Sequence, residues 1–294
     1  MKNASIPVAF LLCLIFYGCE RAVEFELKEE APKLVVEATI ENDEPPMVTL
    51  TRSVGFFSNL TFQILSQSFV HDAQVFISNG TRTHKLKEYT VPVLPGINLY
   101  YYSIDSADLA TAFEGEINKQ YSLRVVSEGQ EYTATTEIPD FGKTIDSLWW
   151  KPAPASEDTN KVVIMARITD PPGYGDYARV FTRTNDQPRF LPPYVSVFDD
   201  LFIDGTTYEV QLEGGVDRNA DTTDDDFFFK GDTVDLKVST INKATYDFWR
   251  TWEFSYSSIG NPFSTPVKVL GNISNNALGY FGGYASRYRR LIVK

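Results

Sequence analysis

Cysteine and histidine are scarce in this sequence of 294 residues, which contains two of each. Cys13 and Cys19 both precede residue 20, so the long remainder of the chain has no thiol for a disulfide, a thiolate nucleophile or a cysteine-ligated zinc ion. The two histidines, His71 and His84, are too few for a histidine-rich metal site. These scarcities exclude several common classes of catalytic and metal centre.

An excess of basic residues is missing as well, because 39 acidic residues outnumber 27 basic ones and give a formal net charge of −12. Such a chain offers no electrostatic footprint for DNA or RNA, so we expect no nucleic-acid partner. The sequence also contains neither a phosphate-binding glycine loop nor a Gly-x-Ser-x-Gly nucleophile elbow. It therefore predicts no catalytic residues and no enzymatic activity.

Hydrophobic runs of membrane-spanning length are missing too. The apolar run from Ile6 to Tyr17 covers about 12 residues, whereas a spanning helix needs roughly 20. An apolar run of this length behind Lys2 is typical of a signal peptide, which we place at residues 1–18.

The end of that segment predicts a lipid anchor. Gly18 directly before Cys19 resembles the bacterial lipobox, in which the cysteine carries diacylglycerol on its sulfur, although Phe16 stands where Leu or Val is commoner. Two or more acyl chains anchor a protein stably, so we expect Cys19 to hold the protein at a membrane. The alternative is an ordinary secreted protein with a leftover cysteine.

Residues 19–32 predict an extended tether, because they are rich in charge and contain little to bury. Acidic residues just after the cysteine resemble the surface-export signal of Bacteroidota lipoproteins. We therefore expect the protein in the outer membrane, facing the cell surface.

The first folded part, residues 33–140, predicts an Ig-like or transthyretin-like β-sandwich. Leu34 to Ile40 alternate between apolar and polar side chains, and about seven short strands at similar spacing are typical of a sandwich. Asn79-Gly80 predicts a hairpin with a type I′ turn, which needs positive φ at both residues. Ala107 to Phe113 could form one or two helical turns, and we expect no long helix before Asp140.

The pattern breaks at Pro139 to Lys143, where we place a domain boundary, and residues 143–294 again predict mainly strands. One amphipathic helix stands out at about 241–256, with apolar residues at helical spacing. Ser239 or Thr240 could cap it. We expect this helix to lie across a sheet and to bury its aromatic side chains there.

A family resemblance rests on a succession of short motifs: Leu34-Val35-Val36-Glu37, Asp199 to Gly205, Gly231-Asp232-Thr233-Val234, Tyr246-Asp247-Phe248-Trp249, Gly260-Asn261-Pro262-Phe263, Pro266, Asn272 and Leu278-Gly279-Tyr280-Phe281-Gly282. This succession resembles the Bacteroidota lipoprotein family catalogued as domain of unknown function 4249, over most of the chain. The resemblance implies an outer-membrane lipoprotein associated with a TonB-dependent transporter. It supplies no catalytic residues.

The acidic segment from Asp217 to Asp226 is the best metal candidate in the sequence. Oxygen-bearing side chains at Asp217, Asn219, Asp221 and Asp224 match the start of a calcium loop, but Thr222 stands where such loops need glycine. A solvated loop without calcium is the alternative. We expect no other cofactor.

Two further patterns could mark a site. Phe56-Phe57, Tyr100-Tyr101-Tyr102, Trp149-Trp150 and Phe227-Phe228-Phe229 could stack on sugars, although adjacent aromatics on a strand point to opposite faces, so about half of each cluster should be core. His71-Asp72 could form half of a Ser-His-Asp triad, but no nucleophile motif accompanies it.

The sequence therefore predicts a non-enzymatic accessory or binding component of a TonB-dependent nutrient uptake system, with an unknown ligand. One alternative is a structural or adhesive cell-surface protein, for which stacked β-sandwiches would serve equally well. Another is a hydrolase whose site has no recognisable motif.

Overall fold

The computed structural model describes residues 31–55, 61–94, 97–154, 156–218, 227–261, 263–265 and 267–294. Pro32–Lys294 forms one compact unit. Over these residues the chain is mainly β with large sheets, as the sequence predicts, and it contains two helices where the sequence predicts one. None of the helices in these ranges is both long and apolar enough to cross a membrane.

The described residues of the unit before residue 140 form seven strands and a short helix. These are β1 (Leu34–Glu41), β2 (Met47–Arg52), α1 (Phe62–Ser68), β3 (Gln74–Ser78), β4 (Thr83–Leu94), β5 (Ile97–Ser103), β6 (Lys119–Ser127) and β7 (Gln130–Ile138). We call this part the N-terminal half.

After residue 140, the part of the chain that the structure describes forms eight strands and the longer helix. These are β8 (Thr144–Pro152), β9 (Lys161–Thr169), β10 (Tyr177–Thr184), β11 (Val197–Phe198), β12 (Thr207–Leu212), β13 (Phe228–Phe229), β14 (Thr233–Ile241), α2 (Lys243–Ser257) and β15 (Leu278–Ile292). We call this part the C-terminal half.

Strand β15 joins the two halves. It lies inside an 11-stranded sheet with the order β11-β10-β14-β15-β1-β2-β5-β4-β3-β6-β7, between β14 of one half and β1 of the other. It pairs in parallel with β1, where Gly279 is opposite Val36, and antiparallel with β14, where Arg287 is opposite Val238. The boundary at residues 140–143 stays a prediction, but strands from both sides of it share this sheet.

The N-terminal core lies between strands of the same large sheet. Side chains of β1 and β2 pack with those of β3, β6 and β7, and Phe281 and Ala285 of β15 join them. Gly283 of β15 lies so close to β7 that a Cβ there would overlap the carbonyl oxygen of Glu137. The predicted sandwich is therefore built from a sheet that folds back on itself.

The C-terminal half has a layer on each face of the large sheet. Val234, Leu236 and Val238 of β14 point toward a smaller sheet, in which β9 pairs with β8, β12 and β13. Alternate residues point to the other face, where Ile241 and Tyr284 pack against α2. This arrangement confirms that the helix lies across a sheet and buries aromatic side chains.

The cap of α2 differs from the prediction. The N-cap is Asn242, whose side chain accepts a hydrogen bond from the Thr245 amide at 2.9 Å. Ser239 and Thr240 cannot cap the helix, because β14 continues to Ile241 and both residues belong to that strand.

Two predictions in the N-terminal half also need correction. The hairpin at Asn79-Gly80 forms, but Ser78 pairs with Thr83, so its loop has four residues, and of the predicted pair only Gly80 has positive φ. The Asn79 side chain accepts from the amides of Thr81 and Arg82 instead, which closes the loop without a type I′ turn.

The predicted helical turns at residues 107–113 are isolated hydrogen-bonded turns. The seven-residue helix α1 forms instead, capped by Thr61. The sequence did not predict it because its polar and apolar residues are too few to show a helical period.

Candidate functional site

A pocket of about 500 Å³ lies between the two sheets of the C-terminal half. Its walls come from β9, β10, β12 and β14 and from the segments around β11. The apolar side chains that line it are Ile168, Ala178, Val180, Pro193, Val195, Phe198, Ile203, Val210, Leu212 and Val238. A volume of this size is typical of small-molecule sites, which are mostly apolar with a few polar groups.

Strand alternation and side-chain size create this space. On β10, Ala178 and Val180 point toward the smaller sheet, and Val238 of β14 lies beside them. These side chains are small, whereas the opposite face of the same strands carries larger groups such as Phe181. The face of the large sheet toward the pocket therefore carries small side chains, and the face toward α2 carries large ones.

One end of the pocket is polar and partly buried. Lys143 lines it and forms a buried ion pair with Asp170 at the end of β9. The backbone of Lys143 is positioned by Gly142, whose amide donates to Thr240 Oγ1 at 2.9 Å. Tyr208 also lines this pocket, and burial, with the charge of Asp170, raises the pKa of Tyr208 to about 12.

A second polar contact borders the pocket. The Tyr246 hydroxyl of α2 donates to Asp199 Oδ2 at 2.8 Å and accepts from Arg250 at 2.6 Å. Burial, followed by the hydrogen bond to Asp199, raises the pKa of Tyr246 to about 12. Asp199 is therefore held by the helix and does not turn freely toward the pocket.

Beside Lys143, three carboxylates converge: Asp170, Asp176 and Asp200. One oxygen from each lies within 4.8 Å of those from the other two. Burial raises the pKa of Asp176, and the charges of Asp170, Asp200 and Asp204 act in the same direction, whereas Lys143 opposes them. This arrangement of oxygen atoms has the chemistry of a site for a hard cation.

A second pocket, with a volume of about 590 Å³, lies along α2, and Arg250 and Val267 are among the residues that line it. Below it, Glu253 accepts hydrogen bonds from the amide and hydroxyl of Ser196, and Arg179 Nε donates to Ser196 Oγ at 3.0 Å. Because these three residues are buried and satisfy one another, we interpret them as the structural attachment of α2 to the sheet.

The predicted calcium segment is mostly beyond what the structure describes. Asn219, Asp221 and Asp224 lie outside the described residues, so that prediction stays untested. Asp217 is described, and its Oδ2 lies 3.3 Å from Arg189 Nη2. Cys19, the predicted lipid-attachment residue, also lies outside the described residues.

The geometry around His71 gives no support to the alternative of a Ser-His-Asp triad. His71 pairs with Glu88 and not with its neighbour Asp72, whose amide donates to the same carboxylate at 3.4 Å. Glu88 also accepts a hydrogen bond from the Tyr102 hydroxyl at 3.1 Å. These contacts hold a loop against β4 and β5 and assemble no Ser-His-Asp triad.

The aromatic clusters divide between core and surface. Tyr102 and Phe228 are buried, whereas Tyr101 and Trp150 are half-buried. Phe56-Phe57 lies outside the described residues. The expectation that part of each cluster belongs to the core is confirmed for Tyr100–Tyr102 and Phe227–Phe229.

Sequence reasoning missed both the pocket and the three carboxylates. Asp170 and Asp176 flank a loop rich in Pro and Gly at the end of a clear strand, and this is a signal that could have found them. Asp200 comes from the far side of β11, and no local pattern connects it to the other two.

Comparison with protein families identifies the chain. The family described as "Domain of unknown function (DUF4249)" matches residues 20–290. Comparison with curated proteins finds no match. The family match includes both halves and every residue of the pocket and the carboxylate cluster, so the chain belongs to the DUF4249 family.

Proposed function

We propose that this protein is an outer-membrane lipoprotein of a Bacteroidota cell that binds a small, mainly apolar ligand beside a TonB-dependent transporter. The observation that carries the binding role is the pocket of about 500 Å³ between the two sheets. The proposed role is non-enzymatic binding, which the mostly apolar lining of the pocket supports.

The anchor and the partner have separate support. A lipid on Cys19 and a charged tether over residues 19–32 would hold the folded unit near the membrane surface. The transporter is proposed from the family resemblance alone, since fold does not determine function.

Purification of the tagged full chain from its native membrane in mild detergent tests the partner and the anchor together. We expect a TonB-dependent transporter in stoichiometric amount. Cys19→Ala should leave the membrane fraction, whereas Cys13→Ala should remain in it. Purification without any transporter would contradict the uptake role and favour the adhesive alternative.

A pair of matched variants tests the pocket. Val210→Trp should fill the pocket, because Val210 lines it and is half-buried. Val91→Trp adds the same bulk to an exposed position on β4. Mass spectrometry of small molecules extracted from each purified protein should find a ligand with the parent and Val91→Trp and lose it with Val210→Trp. Equal recovery from all three would contradict binding in this pocket.

A further inference from the structure

Three carboxylates converge beside Lys143, a residue that lines the pocket. Asp170 follows β9, Asp176 directly precedes β10, and Asp200 follows β11. Asp170 and Asp200 are buried and Asp176 is half-buried, yet one oxygen of each lies within 4.8 Å of the others. Like charges this close repel one another unless a positive charge compensates them.

Asp170 presents an oxygen with no partner. Its side chain is completely buried, and Oδ1 is used by the ion pair with Lys143. Oδ2 has no hydrogen-bond partner in the described part of the chain. A buried carboxylate oxygen without a donor is costly, so its presence indicates a group that the protein's own side chains do not supply.

The other two carboxylates are also available. Asp200 uses Oδ2 to accept from the amides of Gly175 and Asp176, at 2.7 and 3.0 Å, and this fixes its orientation. Its Oδ1 and both side-chain oxygens of Asp176 accept no hydrogen bond from any described residue. Each of the three residues therefore has an oxygen to offer.

The local charge balance is strongly negative. Asp204 adds a fourth carboxylate nearby, with its Oδ1 accepting from the Gly173 amide at 2.6 Å. Lys143 is the ammonium group that faces these carboxylates. One positive charge against four negative ones leaves a site that attracts a cation.

We propose that Asp170, Asp176 and Asp200 together bind one calcium ion. Carboxylate oxygens are the ligands that calcium prefers, and Ca–O bonds of about 2.3–2.6 Å allow ligand oxygens to lie up to about 5 Å apart. The three oxygens lie within 4.8 Å of one another, which satisfies that limit. Magnesium gives up its water ligands reluctantly and is usually bound through only one or two carboxylates, so three converging carboxylates favour calcium.

The ion has a structural consequence in the C-terminal half. Asp170 ends a strand of the smaller sheet, whereas Asp176 and Asp200 flank strands of the large sheet. One ion therefore joins the two sheets at the end of the pocket that Lys143 lines. Calcium binding requires no ligand in the pocket, so it can be tested independently of the proposed function.

Calcium titration of the full chain, purified in detergent and freed of metal with a chelator, tests the proposal. We expect heat for one equivalent in calorimetry and a rise in the melting temperature. Terbium should bind in place of calcium, with luminescence sensitised by the adjacent Tyr177, and calcium should displace it. Absence of both heat and a thermal shift would overturn the proposal, and a response to magnesium alone would overturn the assignment of calcium.

Matched variants locate the ion. Asp176→Asn should weaken calcium binding at least tenfold while leaving the chelated protein folded, because the Asp176 side chain makes no hydrogen bond to a described residue. Asp221→Asn combined with Asp224→Asn removes the same type of charge from the acidic segment and should bind calcium like the parent. The reverse result would place the ion in that segment and overturn the proposed site. If Asp176→Asn fails to fold, the parent protein provides the test. Terbium luminescence that is sensitised by Tyr177 and lost on adding calcium supports the site, and absence of this luminescence overturns it.

Discussion

The two halves of the unit bury different kinds of side chain. In the N-terminal half, the buried residues that the structure describes are apolar or uncharged, with His84 as the one titratable imidazole among them. In the C-terminal half, the buried residues include several that carry charge: Lys143, Asp170, Arg179, Asp200, Asp235 and Glu253.

This difference agrees with the proposed placement of the binding sites in the C-terminal half. Burying a charge costs free energy unless partners compensate it. Arg179 and Glu253 share Ser196 as a hydrogen-bond partner in the attachment of α2, whereas Asp170 beside Lys143 keeps a buried oxygen without a partner among the described residues. Buried and mutually interacting carboxylates are typical of functional sites. We therefore propose that the C-terminal half binds and that the N-terminal sandwich supports it.

The strand that both halves share should give the strongest effect. Gly279 of β15 has a φ of +97°, and a Cβ there would overlap the carbonyl oxygen of Val36 on β1. Gly279→Ala should therefore disrupt the pairing of β15 with β1 and cost more than about 4 kcal/mol of stability, measured by urea unfolding.

Gly129→Ala is the matched control for that change. Gly129 also has a positive φ, at +75°, but no atom lies within 4 Å of the position of an added Cβ. Backbone strain alone should cost about 1–2 kcal/mol there. Equal losses for the two variants would show that close strand contact at Gly279 does not hold the halves together.

The buried ion pair should give the next largest effect. Lys143→Met removes the partner of Asp170 and leaves its carboxylate buried without compensation, so we expect a loss of about 3–5 kcal/mol with a chelator present. Adding Asp170→Asn should recover much of that loss, because the second change removes the isolated charge.

An exposed pair in the N-terminal half provides the contrast. Arg52 and Glu128 form an ion pair whose side chains are 37% and 68% exposed. Arg52→Met should cost no more than about 1 kcal/mol. Similar losses for Arg52→Met and Lys143→Met would contradict the view that the halves treat charge differently.

Local patterns predicted much of this fold. Strict alternation identified β1, and helical spacing identified α2. Both patterns are reliable when one face of the strand or helix is buried and the other is exposed to solvent. They predicted the mainly β class and the helix across the sheet.

The same rule explains why β15 was missed as a strand. Over residues 280–286 both of its faces are buried, one against α2 and the other in the N-terminal core, so no alternation appears. Its glycines permit close approach of neighbouring backbone, but they also weaken the strand signal. The sequence shows glycine at positions 279 and 283, but it does not show that these residues approach β1 and β7.

The candidate site was even harder to predict from the sequence than β15. The pocket depends on small residues of two sheets facing each other, and Asp200 reaches Asp170 only through the fold. The sequence pointed to the acidic segment beginning at Asp217 because acidic residues are dense there. The carboxylates beside Lys143 are brought together only by the fold, so the sequence does not show that they are close.

Acid should destabilise the C-terminal half through Asp235. The hydrogen bond from Arg290, followed by that from Arg183, lowers the pKa of Asp235 to about 2 from its ordinary value of 3.8. The resulting stabilisation is fully present above about pH 4 and is lost as the pH falls toward 2. It amounts to about 2 kcal/mol, since each unit of pKa difference corresponds to about 1.4 kcal/mol.

Urea midpoints measured between pH 5 and pH 2 check this expectation. Asp235→Asn should flatten the decline of stability over that range. Asp105→Asn is the matched control in the N-terminal half, where the amide of Ala107 is the main cause of a lowered pKa at a half-buried carboxyl, and its effect should be smaller. A larger effect at Asp105 would contradict the difference between the halves.

Helix caps give the smallest contrast, and they test whether the halves are coupled. Asn242→Ala removes the cap of α2 and should cost about 1–2 kcal/mol. Thr61→Ala removes the cap of α1, whose bond to the Ile64 amide is 3.2 Å long, and should cost about 0.5–1 kcal/mol. Asn242 also donates to Thr136 on β7 at 3.2 Å, a contact that Thr136→Val would remove while keeping the cap. If urea unfolding gives Thr136→Val the stability of the parent, the Asn242 side chain only caps the helix; a measurable loss would show that it also ties α2 to the N-terminal half.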